Sequence, residues 1–105
     1  METCRRVKIA VRRHVMYKRR ERPYQKIKND TRTLVLAGDQ KSIIILNETA
    51  FVIWETCDGL NLRELVKKIL ELYKLPEEEY QATIENDCQN ILTYLAENGL
   101  IKEYH

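Results

Sequence analysis

Histidine, glycine and cysteine are all scarce in this chain of 105 residues, and each scarcity argues against a class of site. The two histidines are His14, in an arginine-rich stretch, and His105, the last residue, so neither is placed to form a buried catalytic pair. The three glycines stand far apart, which excludes a glycine-rich loop that could cradle a phosphate. We therefore expect a protein that is not an enzyme and that uses no metal or other cofactor.

The three cysteines, Cys4, Cys57 and Cys88, are widely spaced and odd in number. That spacing fits neither a disulfide framework nor a zinc site. Free cysteine often serves as a small apolar residue of a protein core. We expect Cys57 and Cys88 to be buried in this role.

Long apolar runs are also missing. No run approaches the ~20 residues that a membrane-spanning helix needs. The N-terminus is charged throughout and lacks the apolar region of a signal peptide. We therefore expect the protein to stay in the cytoplasm and to have no membrane partner. Its content of 44% apolar and 32% charged residues is typical of a folded globular domain.

The net charge of +2 conceals an uneven distribution along the chain. Residues 1–22 hold nine Lys or Arg and two Glu, a net +7, which leaves −5 for residues 23–105. Such a basic arm attracts an anionic partner, or it is a solvated arm or a basic edge strand. Its apolar spacings fit a strand and a helix equally, so its structure stays open. We divide the chain into this arm, residues 1–22, and a domain of residues 23–105.

Three short strands are predicted in the first half of the domain. Residues 24–29 alternate loosely and end at a turn at Asn29-Asp30. Residues 33–37 form the second strand, which ends at a turn at Gly38-Asp39, and residues 42–46 form the third. Because short turns join consecutive strands as hairpins, we expect an antiparallel meander.

The first predicted helix follows the third strand without a spare residue. Asn47 is placed to accept a hydrogen bond from an orphan amide of the first turn. Asp58-Gly59 ends the helix, because glycine tolerates left-handed backbone at a helix terminus. Between them, residues 48–57 carry an apolar stripe that includes Trp54, so we expect this helix to be largely buried and Trp54 to lie in the core.

Two further helices complete the chain. Asn61 and Glu64 have the spacing of a capping box at the start of the second helix. Pro76 separates that helix from a long third one, which begins at about Glu77 and stops at Asn98-Gly99. Strands followed by helices indicate an α+β fold. The predicted architecture is a three-stranded antiparallel sheet followed by three helices, in an arrangement like a winged helix-turn-helix.

The order and spacing of several short motifs resemble the PqqD family, whose members are also called recognition elements of ribosomally made, modified peptides (RiPP recognition elements). The motifs are Leu46-Asn47-Glu48-Thr49-Ala50, Ile53-Trp54, Asp58-Gly59, Asp87-Cys88-Gln89-Asn90-Ile91-Leu92 and Gly99-Leu100-Ile101. The resemblance covers about residues 23–102 and leaves out the basic arm. It implies a peptide chaperone that binds the leader segment of a precursor peptide. The chaperone delivers the precursor to a modifying enzyme, often a radical S-adenosylmethionine (SAM) protein, or in lasso-peptide systems to a leader peptidase.

In that family the leader adds as a strand to the edge of the third strand and lies against the third helix. Here Ile44 and Leu46 should point to one face of the strand, and Ile43 and Ile45 to the other. An edge strand that is apolar on both faces needs a cover, which a pairing peptide, the basic arm or another strand would supply. The expected peptide-binding residues are Ser42, Ile43, Ile44, Ile45, Leu46, Tyr80, Thr83, Ile84, Asp87 and Ile91.

The alternative function is a winged-helix DNA-binding regulator that uses the basic arm. A DNA-reading helix needs Lys or Arg for phosphates and guanine edges. Residues 75–101 contain no Lys or Arg, whereas six Asp or Glu give this segment a charge of −6. Phosphate would repel such a helix, so we do not expect nucleic acid as a partner. A third possibility is a subunit that docks on an enzyme without touching its substrate.

Overall fold

The computed structural model describes residues 15–104. This part of the chain forms three helices and two three-stranded antiparallel sheets. The strands are β1 (Met16–Arg19), β2 (Tyr24–Lys26), β3 (Thr33–Leu36), β4 (Ile43–Leu46), β5 (Leu60–Asn61) and β6 (Ile101–Tyr104), and the helices are α1 (Glu48–Thr56), α2 (Leu62–Leu72) and α3 (Glu77–Glu97).

The predicted α+β fold with three helices and antiparallel strands is confirmed. The expectation of a single sheet that precedes all the helices is wrong. A second sheet, in the order β5-β1-β6, draws its strands from the start, the middle and the end of the described chain. The winged helix-turn-helix arrangement is accordingly not confirmed. β5 has only two residues, too few to show a period of two, and its pairing with β1 is long-range.

Part of the predicted basic arm belongs to this second sheet. Met16–Arg19 form β1, which is the central strand, and Tyr17 is 1% exposed. The first part of the arm, residues 1–14, lies outside the described residues.

The predicted meander is confirmed as the other sheet, in the order β2-β3-β4. Val35 lies directly opposite Ile44, and both side chains are buried. α1 follows β4 after the single residue Asn47 and places Trp54 and Phe51 in the same core. No helix within residues 15–104 is long and apolar enough to cross a membrane.

The helix ends follow the sequence signals closely. The Asn47 side chain accepts a hydrogen bond from an amide of the first turn of α1 at 2.8 Å. Asn61 and Glu64 form a reciprocal capping box at the start of α2, with bonds of 2.8 and 3.0 Å. Gly59 and Gly99 follow α1 and α3 with φ of +77° and +75°, the left-handed region that glycine tolerates best.

The expectation that Cys57 and Cys88 are buried is confirmed, with 0% and 1% exposed. Because burial disfavours the thiolate, it raises the pKa of both thiols to about 12. Both side chains therefore remain protonated and inert at neutral pH.

Candidate functional site

The free edge of β4 is the first feature of the site. Among the residues that the structure describes, β4 pairs only with β3. Its outer edge therefore presents backbone donors and acceptors that a further strand could use. The residues that present them follow from the pairing pattern.

Hydrogen-bonded and non-hydrogen-bonded pairs alternate along an antiparallel ladder. The Ala37 N–H donates to the Ser42 carbonyl at 2.9 Å, so this is a hydrogen-bonded pair. Ile44, two residues further on, therefore also directs its N–H and C=O groups toward β3. Ile43 and Ile45 direct theirs outward, where a peptide strand would pair with them.

The side chains of β4 alternate as expected. Ile44 and Leu46 point into the core, whereas Ile43 is 60% exposed and Ile45 is 53% exposed. The side chains of Ile44 and Leu46 are buried in the core. Of the four β4 residues, only Ile43 and Ile45 offer both backbone and side chain.

Two leucines of β3 extend the exposed apolar surface, and the sequence reasoning missed them. Leu36 lies directly opposite Ile43, and Leu34 directly opposite Ile45. Opposed residues of an antiparallel pair share a face, so these four aliphatic side chains form one outer apolar patch. Leu34 and Leu36 are half-buried. The available signal was the run of three apolar residues in β3, which, like β4, is apolar on both faces.

The β3–β4 turn fixes the start of β4. The Asp39 carboxylate accepts hydrogen bonds from the Lys41 N–H at 2.8 Å, from the Ser42 N–H at 2.9 Å and from the Ser42 hydroxyl at 2.9 Å. These bonds favour the charged carboxylate and hold the pKa of Asp39 below its usual 3.8. Ser42 itself is exposed at the end of the edge.

The same turn is fastened to the C-terminal end of α3. The Gly38 N–H donates to the Asn98 carbonyl at 2.9 Å. A Cβ added at Gly99 would lie 2.8 Å from the Gly38 Cα, so the two backbones approach as closely as glycine allows. α1 also contacts both β4 and α3. The edge strand and the long helix therefore flank a common core.

Each of the five α3 residues expected at the site lies three or four positions from another of them, which places all five on one side of the helix. Thr83 and Asp87 are exposed, and Tyr80 is 36% exposed. Ile84 and Ile91 are half-buried and pack against the core. At ~1.5 Å per residue, Ile91 lies about 17 Å closer than Tyr80 to the end of α3 that holds the β3–β4 turn.

No group of His, Cys, Asp or Glu within residues 15–104 could hold a metal ion. A protein-family model described as coenzyme PQQ synthesis protein D (PqqD) matches residues 32–101. The matched segment contains β3, β4 and all three helices, and it begins after β1 and β2. No curated protein and no solved structure matches the chain.

Proposed function

This chain belongs to the PqqD family of RiPP recognition elements, and from that premise we propose that it binds the leader of a ribosomally made precursor peptide along the edge of β4. The bound precursor is then presented to a modifying enzyme, a radical SAM protein or a leader peptidase. The domain itself contributes binding and no catalytic step. The observation that carries this proposal is the open edge at Ile43 and Ile45, which combines outward backbone groups with exposed apolar side chains.

Backbone pairing gives such a peptide its affinity, and the side chains give it specificity. Alternate side chains of an added strand point to opposite faces of the sheet. One set would extend the outer apolar patch of Leu34, Leu36, Ile43 and Ile45. Complete burial of an exposed isoleucine contributes ~1.5–3 kcal/mol, so Ile43 and Ile45 can supply a useful share of the binding energy.

The other set of leader side chains would rest on α3, against Tyr80, Thr83, Ile84, Asp87 and Ile91. The placement of these side chains on α3 is supported by the composition of the helix. α3 combines half-buried isoleucines with an exposed acid and contains no Lys or Arg. A leader with a basic residue near Asp87 would complement this face. Asp87→Lys should therefore weaken the binding of such a leader while leaving the fold intact, since exposed substitutions usually cost under ~0.5 kcal/mol.

Peptides from a displayed random library provide a probe, with the full-length protein as bait. Peptides of about 20 residues are long enough to pair with β4 and to extend past both of its ends, at ~3.3 Å per residue. We expect calorimetry with a recovered peptide to give a dissociation constant in the micromolar range or tighter. This corresponds to a binding free energy of at least about 8 kcal/mol in magnitude.

Ile43→Pro and Ile45→Pro should each abolish this binding. Each substitution removes one outward N–H that the peptide would need. The fold should be retained, because a sheet edge tolerates proline where the N–H faces solvent. The bonds of Ile44 and Leu46 to β3 should survive. Ile45→Thr is the matched control: it removes most of the apolar contact but keeps the N–H, so we expect weaker, measurable binding.

Two results would refute the edge site. One is full affinity for the peptide in proline variants whose thermal melts show a folded protein. The other is the behaviour that DNA binding requires: a random DNA duplex binds the full chain with a steep salt dependence, and the proline substitutions have no effect.

A further inference from the structure

The β5-β1-β6 sheet carries a positively charged surface that the β4 site does not use. Lys18 in β1 lies directly opposite Lys102 in β6. The Cβ atoms of opposed residues stand ~5 Å apart, and like charges at such positions destabilise a sheet. Within residues 15–104, the ion pairs are Arg19–Glu21 and Arg32–Asp30, so neither lysine is neutralised by a carboxylate there.

An open depression of about 460 Å³ lies over this pair. It is lined by Lys18, Arg19, Arg20, Glu21, Arg22 and Lys102, which are five cations and one carboxylate. The Glu21 carboxylate is already bound by the Arg19 guanidinium at 2.6 Å. Lys18, Arg20 and Lys102 thus remain without an ion-pair partner in the described part of the chain, and we refer to these three residues as the cationic patch.

A second depression, of about 590 Å³, leads from the cationic patch to the β3–β4 turn. It shares Arg20, Arg22 and Lys102 with the first and reaches Asp39 in the β3–β4 turn. The Asp39 carboxylate in turn binds the backbone and hydroxyl of Ser42. A strand paired along β4 would therefore leave the sheet, at its Ser42 end, beside this depression.

Arg22, which lines both depressions, links the end of α3 to the β3–β4 turn. Its Nε–H donates to the Gly99 carbonyl at 3.0 Å. A Cβ added at Gly38 would lie 3.3 Å from the Arg22 Nη2 atom, so the guanidinium packs against the β3–β4 turn. Because Arg22 has this structural role, it is not counted in the cationic patch.

We propose that the leader bound at β4 continues beyond Ser42 as an acidic segment that lies on the cationic patch. The proposal rests on the function proposed above and specifies the class of peptide: an apolar strand-forming segment with acidic residues on one side. Bound carboxylates would relieve the repulsion between Lys18 and Lys102. The acidic flank would also fix the direction of the leader along β4.

A peptide fits this surface better than nucleic acid does. Asp39 and Glu97 line the second depression together with the cations. A continuous phosphate backbone would meet both carboxylates, whereas a peptide can place its acids opposite the cations alone. The six Asp and Glu residues of α3, which has no Lys or Arg, add to the repulsion of a long polyanion.

The test compares Lys18→Glu with Lys68→Glu in the full-length protein. Lys18→Glu puts opposite charges across the β1–β6 pair, so the fold should be retained or slightly stabilised. Lys68→Glu makes the same charge change on an exposed position of α2 outside both depressions. The probes are a peptide recovered with the wild-type protein and the same peptide with every Asp and Glu changed to Asn and Gln.

We expect recovered peptides to carry acids clustered on one side of an apolar segment. Lys18→Glu should weaken binding of the acidic peptide by about fivefold, in line with exposed ion pairs, and Lys68→Glu should not. The amide peptide should bind wild type and Lys18→Glu equally. Raising NaCl from about 0.05 M to about 0.5 M should weaken the acidic peptide selectively, because salt screens exposed charges.

Different results would refute the acidic segment and the edge site. If Ile45→Pro abolishes binding but the recovered peptides lack an acidic flank, or Lys18→Glu has no effect, the acidic segment is refuted and the edge site stands. If binding survives Ile45→Pro in a folded protein, the edge site is refuted as well. If a random DNA duplex binds and Lys18→Glu removes that binding, the cationic patch is a nucleic-acid surface and the proposal is wrong.

Discussion

The Trp54 side chain of α1 contacts residues of both sheets. Its indole N–H donates to the Leu100 carbonyl at 2.9 Å, just before β6. The Arg19 guanidinium of β1 lies 4.2 Å from the ring centroid. Tyr24 of β2 and Phe51 of α1 approach the ring edge-on, with centroids 5.6 and 6.0 Å away. Loss of this side chain should therefore affect the whole fold.

Trp54→Ala should lower the free energy of unfolding by ~3–5 kcal/mol, because it removes a fully buried side chain and leaves a cavity. That is a large part of the ~5–15 kcal/mol that stabilises a domain. Urea unfolding measures the loss. Tyr94→Ala, at a position that is 43% exposed, is the control and should cost under ~0.5 kcal/mol. Equal effects of the two substitutions would contradict the central role of Trp54.

The buried cysteines make a second prediction at this scale. In a Cys4→Ser background, Cys57 and Cys88 should not react with a thiol reagent at about pH 8, because only the thiolate is nucleophilic and burial raises both pKa values to about 12. Both should react at once in denaturant, which is the control. Rapid modification of either thiol in the native protein would show that it is accessible.

At the scale of elements, the contact between the β3–β4 turn and the end of α3 depends on two glycines. A side chain at Gly99 would meet backbone, since its Cβ would lie 2.8 Å from the Gly38 Cα. Gly59 has nearly the same positive φ, yet a Cβ there would have nothing within 4 Å. The two positions thus separate conformational cost from steric cost.

Gly59→Ala should cost about 1–2 kcal/mol, the penalty of left-handed backbone for an L-residue. Gly99→Ala should cost the same plus about 1–3 kcal/mol for the forced displacement of the turn. Thermal or urea unfolding of the two variants gives the difference directly. Equal destabilisation would mean that the turn can move away from α3 freely.

The β2–β3 turn should make stability depend on acid pH. Hydrogen bonds from Arg32, chiefly from its side chain and also from its backbone, lower the pKa of Asp30 from 3.8 to about 2. A depressed folded-state pKa stabilises the fold above the unfolded-state pKa, and this contribution is lost as pH falls. The difference in thermal midpoint between wild type and Asp30→Asn should therefore be full above about pH 4 and vanish toward about pH 2. A difference independent of pH would exclude the charge as its cause.

The sequence predicts the elements whose signals are local. Helix ends are predicted from one or two residues with specific backbone roles. Examples are the cap at Asn47, the capping box that starts at Asn61, and the stops at Gly59 and Gly99. The β5-β1-β6 sheet could not be read in this way, because its pairs join residues far apart and one strand has two residues. The outward direction of the Ile43 and Ile45 amides also depends on the pairing phase with β3, which a run of three isoleucines does not reveal.

At the scale of the whole molecule, acidic and basic residues are concentrated on different elements. α3 carries six Asp or Glu and no Lys or Arg, the cationic patch lies on and beside the β5-β1-β6 sheet, and a depression joins the patch to the β3–β4 turn. The sequence predicts the charge asymmetry and the doubly apolar third strand. It does not predict that Lys18 and Lys102 meet, because β1 and β6 are at opposite ends of the described chain.

Amide hydrogen exchange in the full-length protein, with and without a saturating recovered peptide, tests the edge site residue by residue. Peptide pairing should slow exchange at Ile43 and Ile45, whose N–H groups point outward. Ile44 and Leu46 should change little, because their N–H groups already face β3. Unchanged exchange at Ile43 and Ile45 in the saturated complex would contradict leader binding at the edge of β4.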